Sequence, residues 1–270
     1  MAGPTSGQDA PTKRSTLLPC GSVATSSIRT SISTRGRSSS FTASGAHLYG
    51  FPSPDSDYDL RGMHVMPARA VCSMTPPRET YDILDREAEI EMDLVTHDAG
   101  KYCKMLVGRN GYVLEQVFSQ LVIHAEPAFE ELKDIALRCI TRHHRHHFRS
   151  FAKSQWNSVA GSSAGTVKGL LYTYRPLLAG IYLMTERNVE SNLRTLNERF
   201  RLSYIDELIE RKVSGGENQA LGDADLAMHG AEFERFNAEL EDAAARSGLP
   251  DQAQSRDELD ALLVRLRMSE

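Results

Sequence analysis

The chain has little that cross-links or anchors it. Its 270 residues include four cysteines, Cys20, Cys72, Cys103 and Cys139, too far apart for a C-x-x-C pair. That spacing excludes a zinc knuckle and gives no sign of a disulfide framework. No apolar run approaches the roughly eighteen residues a spanning helix needs, so the expectation is a soluble, cytoplasmic protein with no membrane partner. A positive surplus is also lacking: net charge is −5. From Met1 to Pro54 five basic residues face Asp9 alone, which leaves the remainder at −9. Indiscriminate nucleic-acid binding is thereby disfavoured, and any polyanion site must be local. No internal repeat is visible.

What the chain does have is concentrated between Ser44 and Val65, SGAHLYGFPSPDSDYDLRGMHV. On a strand, residues two apart share a face, so Asp57 and Asp59 would present their carboxylates together while Tyr58 and Leu60 turn into packing. Like charges held that close need a cation between them. Mg²⁺ suits the task, since it takes one or two carboxylates and completes its shell from water and substrate phosphates. Upstream, Gly45 and Gly50 bracket one helical turn, Ala46 to Tyr49, whose free amides would face an anion.

Gly45, Gly50, Asp57 and Asp59, in the order G-x4-G-x6-D-x-D and followed by Arg61-Gly62, resemble the signature of the DNA polymerase β-type nucleotidyltransferases. GAHLYGFPSPDSDYDLRG looks more narrowly like the stand-alone bacterial branch associated with RNA repair. Lys168 to Ala179, KGLLYTYRPLLA, resembles the K-x6-R-P-L-L-A helix of the same family, so the likeness runs from Phe41 to Lys212. It implies an α+β fold: a small mixed nucleotidyltransferase sheet followed by a helical C-terminal half. It also implies a Mg²⁺ (or Mn²⁺) site made by Asp57, Asp59 and Asp93, the last matching the family's D-x4-D junction with Asp98. Metal ions between three carboxylates activate a nucleophile, hold an α-phosphate and neutralise the leaving pyrophosphate. Glu91 shares a face with Asp93 and stays the rival third ligand.

By the same resemblance, Gly45, Ala46, Gly50, Arg61, Lys153 and Lys168 would contact the nucleotide. The implied activity is transfer of NMP from an NTP to a hydroxyl of RNA or a small molecule, with a nucleoside triphosphate and RNA as partners. One position departs from the pattern. The family places Ser or Gly directly after the first glycine, where this chain has Ala46. Backbone donors survive that change and the hydroxyl does not, so the alternative expectation is a catalytically weakened nucleotide- or RNA-binding relative acting as a regulatory module.

The rest of the chain divides by period. Residues 1–40, rich in Ser, Thr, Gly and Arg, read as a disordered tail rather than the transit peptide their composition superficially matches. A catalytic domain is expected over 41–125, with strands at Phe41–Ala43, Asp57–Met66 and Glu89–Val95 and a loop or flap over Ala68–Glu89, extended at Thr80–Leu84. A helical domain is expected over 126–270. Asp98 caps a first helix ending near Gly108, Val113 to Leu121 mark another, and Pro127 opens a third. The next runs from Thr141 to Val159, and after a Gly/Ser-rich break comes an apolar helix that Pro176 should kink. Ser203 and Ser255 start two more, the second with a full capping box.

Three further patterns carry two readings each. Arg138, Arg142, Arg145, Arg149 and Lys153 form a positive stripe at helical spacing, either a rail for triphosphate or RNA backbone or a solvated face. His143, His144, His146 and His147 invite a metal, yet no Cys or Glu joins them at ligand spacing, which favours solvated or packed histidines. Trp156, Tyr172 and Tyr174 offer rings to a base, but their helical spacing favours packing.

Overall fold

The computed structural model describes residues 37–85, 92–161, 165–215, 220–221 and 223–269. The expected tail up to residue 36, and Glu91, lie outside the described residues. Five strands form one sheet: β1 (Arg37–Ala43), β2 (Tyr58–Val65), β3 (Thr80–Asp85), β4 (Met92–Asp98) and β5 (Val122–Ala125), in the order β3-β4-β2-β1-β5. The sheet is mixed, with β2 and β4 parallel and the other pairs antiparallel. This is the expected α+β architecture, since the chain beyond β5 is helical.

The sheet differs from expectation at three places. Strand β1 begins at Arg37, four residues early, with Arg37 opposite Val65 and a register shift between Ser38 and Ser40. Serines there show no apolar period, but pairing with β2 on one side and β5 on the other satisfies their backbone. The expected third strand is β4 and runs on to Asp98, and β5 pairs along β1 where no strand was expected. Asp57 lies just before β2 instead of opening it.

Helices α1 (Gly45–Tyr49) and α2 (Ala68–Val71) are short turns beside the sheet; α3 (Ala99–Val107) and α4 (Gly111–Val117) precede β5. Then come α5 (Ala128–Leu137), a 3₁₀ turn at Arg142–His144, α6 (Arg145–Gly161), α7 (Val167–Glu186), α8 (Leu193–Phe200), α9 (Ser203–Gly215), α10 (Asp223–Arg246) and α11 (Arg256–Met268). Helix α7 continues through Pro176 and is buried along most of its length, which makes it the axis of the helical half. One core runs from Ala46 and Met63 to Leu266, so sheet and helices share it. A smaller cluster of Phe41, Ala43, Leu60 and Leu94 covers the other sheet face.

The ends of the helices show how the sequence sets them. Asp98 caps α3 as expected, accepting from Gly100 N at 2.9 Å, and is itself buried. Its carboxylate also takes Met66 N at 3.1 Å and Arg267 Nη2 of α11 at 2.5 Å. The capping box at Ser255 is not made: the hydroxyl is buried and donates to Ile135 O at 3.0 Å instead. Among the described residues no helix is long and apolar enough to cross a membrane.

Candidate active site

Parallel pairing of β2 with β4 places Asp59 opposite Asp93. Arg61, two residues along β2 and so on the Asp59 face, reaches between them: its Nη2 donates to Asp59 Oδ1 at 2.7 Å and Asp93 Oδ2 at 2.9 Å. Its Nη1 donates to the Leu60 carbonyl at 2.8 Å and the Asp93 carbonyl at 2.7 Å, and its Nε to Tyr112 Oη at 2.5 Å. All five guanidinium donors are therefore used. Arg61 is a fixed post that sets the angle of two carboxylates.

Asp59 Oδ1 and Asp93 Oδ2 take this fork, which leaves the other oxygen of each carboxylate outside it. Asp59 Oδ2 lies against Gly45, where a Cβ would stand 1.9 Å away, and Gly45 has φ +60°. Close approach and backbone conformation both require glycine there. Burial raises the Asp59 pKa above the ordinary carboxylate value, offset by Arg61 and Lys168 and reinforced by Asp57 and Asp93. Lys168, in the first turn of α7, is thus brought to the carboxylates, whereas Lys153 is exposed on α6. Asp57 is exposed beside the pair.

Among the described residues no group of three His, Cys, Asp or Glu side chains stands close enough to hold a metal ion, so the built feature is the Asp59–Asp93 pair. The donor set still suits Mg²⁺, which needs only one or two carboxylate oxygens when substrate phosphates supply the rest.

Behind the pair a polar chain leads into the core. Ser44 lies within hydrogen-bonding reach of both Tyr112 and Tyr49. The Tyr49 ring lies 3.8 Å from the Arg175 guanidinium, and Arg175 Nη1 donates to Glu115 Oε1 at 2.5 Å. Both members of that ion pair are buried; burial pushes the Arg175 pKa down, and Glu115 and Tyr49 hold it above its ordinary value. Tyr112, Glu115 and Arg175 were not legible from spacing as parts of the site; the R-P-L-L-A segment marked the helix without revealing that its arginine is a buried support.

Ala46 is packed into the core within α1. Gly50 has φ +88° and ends that turn, its amide donating to Ala46 O at 3.1 Å.

The arginine stripe is not a free rail. Arg138 pairs with Glu258 of α11, Arg142 Nη2 donates to Asp251 at 3.0 Å, and Arg145 and Arg149 reach Glu241 of α10 at 3.0 and 3.3 Å. The 3₁₀ turn after Thr141 also separates Arg138 from the helix that carries Arg145 and Arg149. The histidines divide between packing and solvent: His144 is buried in a capping box with Thr141, His147 stacks on Phe151, His143 faces Asp251 at 3.1 Å, and His146 is exposed. Trp156 stacks on Phe233, and Tyr174 Oη meets His229 Nδ1 at 2.8 Å, so these rings serve packing too.

Residues 41–265 match the family described as the RNA repair pathway DNA polymerase beta family. The chain belongs to that family. A similar relative is an uncharacterized protein of Methanocaldococcus jannaschii, 28% identical over 173 residues, covering 63% of this chain and 71% of the relative. Among solved structures, a nucleotidyltransferase-like protein from Exiguobacterium sibiricum aligns over 83% of this chain and 74% of its own, at 13% identity and a TM-score of 0.32, too loose a likeness to bear on function. Family membership makes this a nucleotidyltransferase-like protein, and the glycine turn and the paired carboxylates both lie within the matched residues.

Proposed function

We propose that the protein is a metal-dependent nucleotidyltransferase that moves NMP from an NTP to a hydroxyl of RNA or a small molecule. The observation that carries this reading is the Asp59–Asp93 pair, set side by side by parallel register and aimed by Arg61, in a chain of this family. Asp59 and Asp93, with Asp57 beside them, would hold Mg²⁺ or Mn²⁺. Bound there, the ion supplies Lewis-acid activation of the phosphate and neutralises charge on the leaving pyrophosphate.

The chain's own residues do the positioning. Amides of the Gly45–Tyr49 turn would face the phosphate oxygens of a bound nucleotide, and Lys168 adds a positive charge near Asp59. Arg61 keeps both carboxylates in one orientation before substrate arrives, which removes part of the ordering cost of binding. In the transfer, the acceptor hydroxyl gives its proton to a carboxylate oxygen or to solvent, its oxygen bonds to the α-phosphorus, and the bond from that phosphorus to the α,β-bridging oxygen breaks to release pyrophosphate.

Incubation with each labelled NTP, Mg²⁺ or Mn²⁺ and total RNA tests the proposal. Label incorporated into RNA or a small acceptor supports it; none with any NTP overturns it. The second reading, a nucleotide- or RNA-binding relative, is favoured by Ala46 alone, whose methyl is packed where the family places Ser or Gly. For a transferase, Ala46→Ser should raise kcat/KM by roughly ten- to hundredfold for one added hydrogen bond to a charged group. Nucleotide binding with no transfer by either form selects the second reading.

A further inference from the structure

The loop between α1 and β2 delivers Asp57, and the helical half grips it at two points. At its start, Arg194 Nε donates to the Gly50 carbonyl at 2.9 Å, and a Cβ on Gly50 would stand 2.3 Å from Asn192 Oδ1. Further along, Lys212 of α9 is wholly buried, and its amine donates to Ser53 Oγ at 2.5 Å. Ser53 is itself buried and ties the next turn together: its hydroxyl lies 3.0 Å from Ser56 Oγ, its amide donates to that same oxygen at 3.0 Å, and its carbonyl accepts from Ser56 N at 3.0 Å. Asp57 follows directly.

Burying a lysine amine is costly, and a buried amine is placed where it has a polar partner to satisfy. Here one such partner is a loop of the sheet half, 159 residues earlier in the chain. We infer that Lys212 is a positioning residue for Asp57. Through Ser53 it fixes the Ser53–Ser56 turn, so that the exposed carboxylate after it is presented beside Asp59 and Asp93 instead of sampling the range open to a Pro- and Ser-rich loop. The inference rests on the reading of these carboxylates as a metal site, while the loop ordering it invokes can be measured without that reading.

The test uses the full chain as Lys212→Met, Ser53→Ala and the double variant. Hydrogen exchange should become about tenfold faster at the amides of Ser53 to Asp57, with β2 and β4 unchanged, since one hydrogen bond to a charged donor is removed. Ser53→Ala, which deletes a single hydroxyl, should reproduce most of the effect, and the double variant should add little to either. Mn²⁺ affinity, followed by the paramagnetic resonance of the free ion, should weaken about tenfold in each variant. Unchanged exchange in Ser53→Ala overturns the inference, whatever becomes of Lys212→Met. So does a lowered Tm in Lys212→Met with loop exchange and Mn²⁺ affinity both unaltered, which assigns the lysine to core packing alone. If the unmodified chain binds no Mn²⁺, the metal reading fails, and the exchange measurements still decide whether Lys212 orders the loop.

Discussion

At the carboxylate pair, Asp59 and Asp93 share one guanidinium that sits two residues down the same strand. Along the arginine stripe, by contrast, the partners are acids 92 to 120 residues away in sequence. Both are runs of like charge that the chain must offset, and the difference lies in what remains afterwards. Arg61 spends every donor and still leaves one oxygen of each carboxylate outside its fork, so the site keeps unspent negative charge. The stripe arginines are consumed in pinning α10 and α11 against the helical half, and little positive charge is left for a polyanion. A cluster in sequence is a candidate site only when its neutralisation is incomplete.

Four experiments press on that contrast, the largest effect first. Arg175→Met leaves Glu115 buried without its partner, and should cost roughly 3–5 kcal/mol of stability, read as a fall in denaturation midpoint. A loss below 1 kcal/mol would place Arg175 with the exposed arginines. Next comes the histidine inside the stripe segment. Burial holds His144 down at about 4, below the ordinary value of 6.5, so the unfolded chain takes up a proton first as pH falls. Stability is therefore complete above pH 6.5 and is lost between there and about pH 4, by roughly 3 kcal/mol for this group. Thermal melts across that window should flatten in His144→Asn; an unchanged slope would show that the loss comes from His64, His147 and other groups.

Third, Asp59→Asn and Asp93→Asn should each lower transfer by at least about a hundredfold while the fold persists, measured as initial rates with the preferred NTP. Retention of half the rate in both would remove the pair from the chemistry. Smallest is the stripe itself: Arg145→Gln with Arg149→Gln should change stability by no more than about 1 kcal/mol, because exposed ion pairs contribute little. The same double variant should bind RNA as the parent does in filter binding. A clear weakening of RNA binding would restore the rail.

Much of the site was legible because its logic is local. A glycine that must accept φ +60° against a carboxylate, a D-x-D run and an alternating acidic strand all act within a few residues, and the sequence displays them in order. Alternation put Asp93 on the acidic face, with Leu94 turned to the small cluster on the other, but it did not separate Asp93 from Glu91; only the resemblance chose between them. Tyr112, Glu115, Arg175 and Lys212 could not, because nothing near each of them in sequence announces a partner 51 to 159 residues away. The early start of β1 and the whole of β5 were hidden for another reason. Their residues are serines and a short half-buried run, and their extended form comes from backbone pairing more than from side-chain pattern. At Ser255 the local signal was clear and still misled, since a buried carbonyl at Ile135 competed successfully for the hydroxyl.

The ion pair between Asp98 and Arg267 also makes the sheet depend on residues far along the chain. Asp98 is enclosed at the end of β4, and its countercharge is 169 residues downstream. Within its own half of the molecule Asp98 has the backbone amides of Met66 and Gly100 as donors, and only α11 brings it a charge of opposite sign. Helix α11 thus acts as a latch on the end of β4, and a chain cut before residue 267 should keep the strand order while the buried carboxylate loses its countercharge.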